Sequence, residues 1–340
     1  MMKHFSRLFP LALTFVAALV LTSTAAAQTD APIPLHMSVL DQIPATNASF
    51  HAAGVANGKH SSVASSTLKR GAAGLDQGGQ PHGFFPADLG RSPGGASIHR
   101  AQHHLIYINM PPSHWGNVAQ FLTDLGRSDY IQILDQYVGA HDGDRYTLGT
   151  SFQLNLSLAA GTPLGYNQIL QIVHAAASIS GSGYGHIYHL LLPQGMDTCA
   201  SFGCYQPDLG NIGFCAYHGS VTYQDAIGHA VFTVLPFAGI HGCEQPPTGT
   251  THSQEEDSQN AFVAHETFEA ITDPDGDHWY VQTLDSLYGN EVADLCQAAA
   301  LFPDGFYYGL AQNIMLNGRW YTVPGMYSNR NHGCAFYSTQ

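Results

Sequence analysis

Positive charge is scarce in this sequence. Its 340 residues include 11 Lys plus Arg against 25 Asp plus Glu, a formal charge of −14. Nucleic acids and anionic membrane surfaces are held through basic footprints, so neither is expected as the main partner. Charge of either sign is low, at 11%, where a soluble domain typically carries about 25%. No CxxC pair occurs, which argues against a zinc ribbon. No apolar run reaches the roughly 20 residues of a spanning helix, so no membrane span is expected.

Apolar material is present, at 44% with 11% aromatics, enough for a sizeable core and too much for a wholly disordered chain. Histidine stands out at 20 residues. The N-terminus has the pattern of a secretory signal over residues 1–27: Lys3 and Arg7, an apolar run Leu11 to Leu21, then Ala25-Ala26-Ala27. A secreted, extracellular protein follows from it. The six cysteines all lie in the C-terminal half, and an even count in an exported chain favours disulfides. About 15 pairings are open to six cysteines. The preferred set is a local Cys199–Cys204 loop, then Cys215–Cys243 and Cys296–Cys334.

Residues 28–98 are rich in Gly, Ala, Ser, His and Gln, as in Gly71-Ala72-Ala73-Gly74, without sustained apolar periodicity. They read as a low-complexity linker or pro-segment. A single domain is expected over residues 99–340. Strands are expected at His104–Ile108, Tyr146–Leu158, Ile187–Leu192, Gly213–Tyr217 and Val231–Leu235. Ser113 is a candidate cap for a helix carrying Trp115, Val118, Phe121 and Leu122. Tyr130 to Tyr137 continues with helical spacing, and helices are expected at Tyr166–Ala177 and Asp257–Ile271.

The sharpest chemical signal is His265-Glu266-Thr267-Phe268-Glu269. Positions i and i+4 share one face of a helix, so His265 and Glu269 can grip one metal ion together. Glu266, at the side of that face, stands where the glutamate of HExxH peptidases acts as general base. Glu269 replaces the second histidine of that motif, and carboxylate oxygen also binds zinc. An ordinary solvated acidic face is the alternative. Against it, Phe262, Val263, Phe268 and Ile271 make the helix apolar around the motif, and burying unpaired charge is costly.

Three acids compete to complete the site. Glu291 and Asp294, in Asn290-Glu291-Val292-Ala293-Asp294-Leu295-Cys296, would share one face if that segment is helical. One could bind metal while the other orients His265. Asp275, in Thr272-Asp273-Pro274-Asp275-Gly276-Asp277, lies where some related zinc sites place their last ligand. That segment also matches the start of a calcium loop, but its twelfth position is Leu284 rather than glutamate, and a turn is the favoured reading. His218, in Phe214-Cys215-Ala216-Tyr217-His218, is a candidate ligand or stabiliser of a developing oxyanion. His229, His241, His252 and His278 have no spacing argument.

The segments Phe214–His218, Ala264–Pro274, Trp279-Tyr280 and Glu291–Cys296 together resemble the exordium, or phosphate-induced, family of secreted plant proteins. The resemblance covers roughly residues 100–340. It implies an extracellular location and growth-related responses. Plant members carry no acid matching Asp275, so it favours the Glu291–Asp294 segment for the third ligand. HExxE after a strand-rich region also looks like a divergent zincin. That likeness implies a zinc-dependent peptidase with a less positive metal than three neutral histidines would leave.

The combined expectation is a secreted α+β protein with a zincin-like mixed sheet, packed helices, a late active-site helix and disulfide staples. Its metal ligands would be His265, Glu269 and one or both of Glu291 and Asp294. Glu266 and His218 would be the catalytic groups. Zn2+ is the expected cofactor, with Ca2+ or Mn2+ as alternatives, and a peptide, a protein or a cell-wall component the expected partner. The rival is a non-catalytic extracellular binding or signalling protein with a structural metal site.

Overall fold

The computed structural model describes residues 31–35, 45–53, 88–139, 143–245, 251–283, 288–299 and 311–338. The expected signal peptide lies outside them. A seven-stranded mixed sheet organises the chain. Its strands are β1 (Ile33–Pro34), β2 (Ala45–Ala53), β3 (Ala101–Ile108), β4 (Tyr146–Leu154), β5 (His186–Leu191), β6 (Ala216–Tyr223) and β7 (His229–Leu235), in the spatial order β1-β4-β3-β5-β7-β6-β2. The pairs from β1 through to β7 are parallel, whereas β6 runs antiparallel to both β7 and β2. β3, β5 and β7 are almost wholly buried, as parallel strands covered on both faces must be, and their sequences are correspondingly apolar.

Three helices position the chemistry: α1 (Val118–Leu125), α2 (Tyr166–Ser180) and α3 (Gln254–Thr272). Successive side chains of a strand point to opposite faces. On β6, the Tyr223 hydroxyl donates to the Leu170 carbonyl of α2 at 2.5 Å, while His218 and Ser220 turn to α3 and the turn that follows it. α2 and α3 therefore cover opposite faces of this strand. The far side of α3 is closed by the hairpin Gln312–Leu316 and Arg319–Val323. That hairpin turns at Asn317-Gly318, both with positive φ (45° and 85°), the Asn-Gly chemistry of a tight hairpin. Buried Asp124 on α1 anchors it, accepting from Tyr321 at 2.7 Å, Asn317 at 2.9 Å and Arg319 at 3.0 Å.

The architecture is α+β with a mixed sheet, as expected, and Cys199–Cys204, Cys215–Cys243 and Cys296–Cys334 are all bonded. Among the described residues, no helix is long and apolar enough to cross a membrane. Several local expectations are corrected. The segment 28–98 supplies β1, β2 and Gly90–Arg91, which pairs with Trp279-Tyr280. Backbone pairing to a distant strand needs no apolar periodicity of its own, so composition missed it. Ser113 caps no helix: Pro112–Trp115 is a 3-10 turn, and α1 starts after Asn117. Tyr130–Tyr137 divides into the 3-10 turn Ile131–Leu134 and a single helical turn Asp135–Val138, ended by Gly139 at φ 69°. The strand expected at Gly213–Tyr217 instead runs from Ala216 to Tyr223.

Candidate metal centre

α3 begins at a well-made cap. The Ser253 hydroxyl accepts from the Glu256 amide at 3.2 Å, and Glu255, Glu256 and Asp257 occupy the first turn, where acids complement the helix dipole. From Asp257 to Thr272 every residue is buried. A helix enclosed on all sides normally carries apolar residues throughout. This one instead buries His265, Glu266, Thr267 and Glu269, with Glu266 and Glu269 at 0% exposure.

The i,i+4 pair meets as its spacing requires. His265 Nε2 lies 3.0 Å from Glu269 Oε1 and 3.3 Å from Asp294 Oδ1. Yet Nε2 makes no hydrogen bond of acceptable geometry. The three groups lie close enough together to hold one metal ion. Asp294 opens α4 (Asp294–Ala299), and its amide donates to Glu269 Oε1 at 3.0 Å, fixing that carboxylate. Cys296, bonded to Cys334, tethers the same helix. Asp294 is the most open of the three, its side chain 20% exposed against 3% for His265.

Beneath this trio lies a second one. His218 Nδ1 is 3.3 Å from Glu266 Oε2 and 3.6 Å from Glu269 Oε2, and all three side chains are fully buried. The other ring nitrogen, Nε2, donates to the Asp273 carbonyl at 3.1 Å and lies 3.6 Å from Glu291 Oε2. Within each trio the candidate ligand atoms lie within 4.8 Å of one another. Glu269 belongs to both.

The competing acids are thereby placed. Asp294 joins His265 and Glu269, whereas Glu291 faces His218. α4 starts only at Asp294, so Glu291 precedes the helix and the two acids do not share a helical face. Asp275 goes elsewhere. It accepts from Ser220 and Tyr184 at 2.5 Å and from His229 at 2.8 Å. Its burial is outweighed by those donors, which hold the carboxyl down at about 2. The turn Thr272–Asp277 uses its acids internally: Asp273 Oδ1 accepts the amides of Asp277 and His278 at 2.7 and 2.8 Å. Sequence reading missed the Ser220–His229–Asp275–Tyr184 group. The one available signal was that His218 and Ser220 are two apart on a strand and so share a face.

The two trios are rich in buried acids and could hold a metal ion. No lysine or arginine ion-pairs with either trio among the described residues. Burial opposes charge on His265, but Glu269, Asp294 and Glu266 outweigh it and hold the imidazole well above its ordinary range. Burial and the Asp294 carboxylate push Glu269 up to about 7. Burial, then Glu269 and other acids, push Glu291 well up. Buried carboxylates in such surplus hold protons or a metal. Glu266 Oε1 and Glu269 Oε2 are buried without a hydrogen-bond partner, so the donor set fits a divalent ion.

No family model, curated protein or solved structure matches this chain.

Proposed function

We propose that the protein is a metal-dependent hydrolase of peptides, with zinc held by His265, Glu269 and Asp294. The observation that carries this reading is the convergence of His265 Nε2, Glu269 Oε1 and Asp294 Oδ1, beside a neighbouring carboxylate oxygen, Glu266 Oε1, left without a partner. A bound zinc ion would supply Lewis-acid polarisation of the scissile carbonyl and of the attacking water. Glu266 takes the proton at Oε1 and passes it to the leaving amine, while His218, facing Oε2 at 3.3 Å, aims the carboxylate. The neutral-histidine-poor ligand set suits carboxylate-tolerant ions, zinc or manganese, over soft ones. The zincin likeness of HExxE and the resemblance to the secreted exordium family support the peptide substrate and an extracellular setting; the three disulfides suit an oxidising compartment.

Glu266→Gln keeps shape and cannot accept the proton. It should leave the ion at His265, Glu269 and Asp294 in place while peptide hydrolysis falls by about 10²–10⁴-fold. Glu269→Gln should lower metal content and activity together. A cleaved peptide that Glu266→Gln cuts at the parental rate would sink the mechanism. One observation favours a second reading: His218, Glu266, Glu269 and Glu291 are fully buried, as in a structural metal site of an extracellular binding protein for peptide or cell-wall material. On that reading no peptide is cleaved with any metal supplied.

A further inference from the structure

The trio behind the proposed zinc site is an independent one in all but a single residue. His218 Nε2 faces the Asp273 carbonyl at 3.1 Å. A carbonyl only accepts, so Nε2 carries a hydrogen, and Nδ1 is the nitrogen that can give up its proton to a metal. Nδ1 faces two carboxylate oxygens, Glu266 Oε2 at 3.3 Å and Glu269 Oε2 at 3.6 Å. Without an ion a proton on Nδ1 bridges to Glu266; a divalent ion would take that proton's place among three fully buried atoms that lie within 4.8 Å of one another. Histidines that ligate metals characteristically donate their other N–H to a backbone carbonyl or carboxylate, which is the arrangement found here. Glu269 turns Oε1 to His265 and Oε2 to His218. Its Oε2, wholly buried, has no hydrogen-bond partner.

We infer that the protein binds a second divalent cation, held by His218 Nδ1, Glu266 Oε2 and Glu269 Oε2, with Glu269 bridging it to the ion at His265 and Asp294. This inner site rests on the proposal of the outer one and adds to it. Charge counts in its favour. Five carboxylates, Glu266, Glu269, Asp273, Glu291 and Asp294, bear on the two trios, a surplus of negative charge that two divalent ions would nearly neutralise. The inner ion grips Glu266 through Oε2 and leaves Oε1 free for its part in hydrolysis. Carboxylates with one imidazole suit manganese or zinc.

The test uses the full exported chain, stripped with a chelator and dialysed separately against Zn2+ and Mn2+. Two ions per chain are expected with each metal, and the manganese form should show a spin-coupled pair by electron paramagnetic resonance. His218→Gln and Asp294→Asn should each lower the content from two ions to one and abolish the coupling. One ion in the parent, lost in Asp294→Asn, overturns the inner site and leaves the outer one standing. No ion in the parent removes both. Two ions retained in a folded His218→Gln place the second ion elsewhere and overturn the assignment. If His218→Gln does not fold, the parental stoichiometry and coupling decide the matter alone.

Discussion

The seam along α3 and the first turns of the parallel strands both bury histidines, and their surroundings differ in sign. On the strands, His103 Nδ1 lies 2.9 Å from His189 Nε2, and His189 Nδ1 lies 2.9 Å from the Thr233 hydroxyl. Nearby, His104 Nε2 and His186 Nδ1 are 3.0 Å apart, and the Thr150 amide donates to His104 Nδ1. Each neutral ring has one donor and one acceptor, so such chains satisfy themselves without a charge. Burial, then the neighbouring His104, lowers His103 to about 3. Along α3 the partners are carboxylates, acceptors only, and the imidazoles are held in the opposite direction. Burial of a histidine is therefore no sign of a metal. The balance of donors to acceptors around it decides.

The largest way to break this contrast is to strip the ion proposed for the α3 seam. A ligand present at about 1,000 times its Kd stabilises the native state by about 4 kcal/mol. At roughly 2–4 °C per kcal/mol for a domain of this size, chelation should lower Tm by about 8–16 °C. His103→Gln, which touches only the strand-side chain, should show the same chelator-induced drop. Scanning calorimetry with and without chelator checks both, and a metal-insensitive Tm in the parent would remove the distinction.

Acid is the next lever, and it acts on the strand side. In the folded protein His103 and His104 titrate at about 3 and about 4, below the ordinary histidine value of 6.5. The unfolded chain then binds more protons over this interval, so stability is full above pH 6.5 and is lost as pH falls toward 3. Lowering a titration midpoint by one pH unit corresponds to about 1.4 kcal/mol. His103→Gln should flatten the slope of denaturant midpoint against pH between 6 and 4, compared with the parent. An unchanged slope would show that this chain is not held neutral.

The smallest effect belongs to neither region. Ser253→Ala removes the α3 cap hydrogen bond and should cost about 1 kcal/mol without changing metal content or the pH slope. A loss of metal in this variant would mean that the seam depends on the helix end rather than on its own ligands.

The legible parts of this protein were the local ones. Phe262, Val263, Phe268 and Ile271 spaced around His265 and Glu269 marked a packed helix, and the i,i+4 geometry followed from backbone periodicity alone. Strands β3, β5 and β7 were visible because buried parallel strands concentrate apolar residues in short runs, here interrupted by only a few polar ones. The pairing of β2 with β6 was not visible, because it is carried by backbone hydrogen bonds between small and polar residues far apart in sequence. The choice between Glu291 and Asp294 turned on where a helix of six residues begins, a boundary that no periodicity that short can fix. That His218 faces Glu266 depends on how β6 lies under α3, a tertiary fact with no sequence period.

The bond between Cys296 and Cys334 closes two residues from Asp294, and the Tyr327 amide donates to the Val292 carbonyl on the other side of that ligand. Asp294 thus sits on a short arm fastened by that disulfide, by the Val292 carbonyl and by its own amide at Glu269 Oε1. Two residues of chain between Asp294 and the disulfide leave its carboxylate little room to move away from His265 and Glu269. Reducing the Cys296–Cys334 bond would remove the covalent fastening and leave hydrogen bonds alone to hold that position.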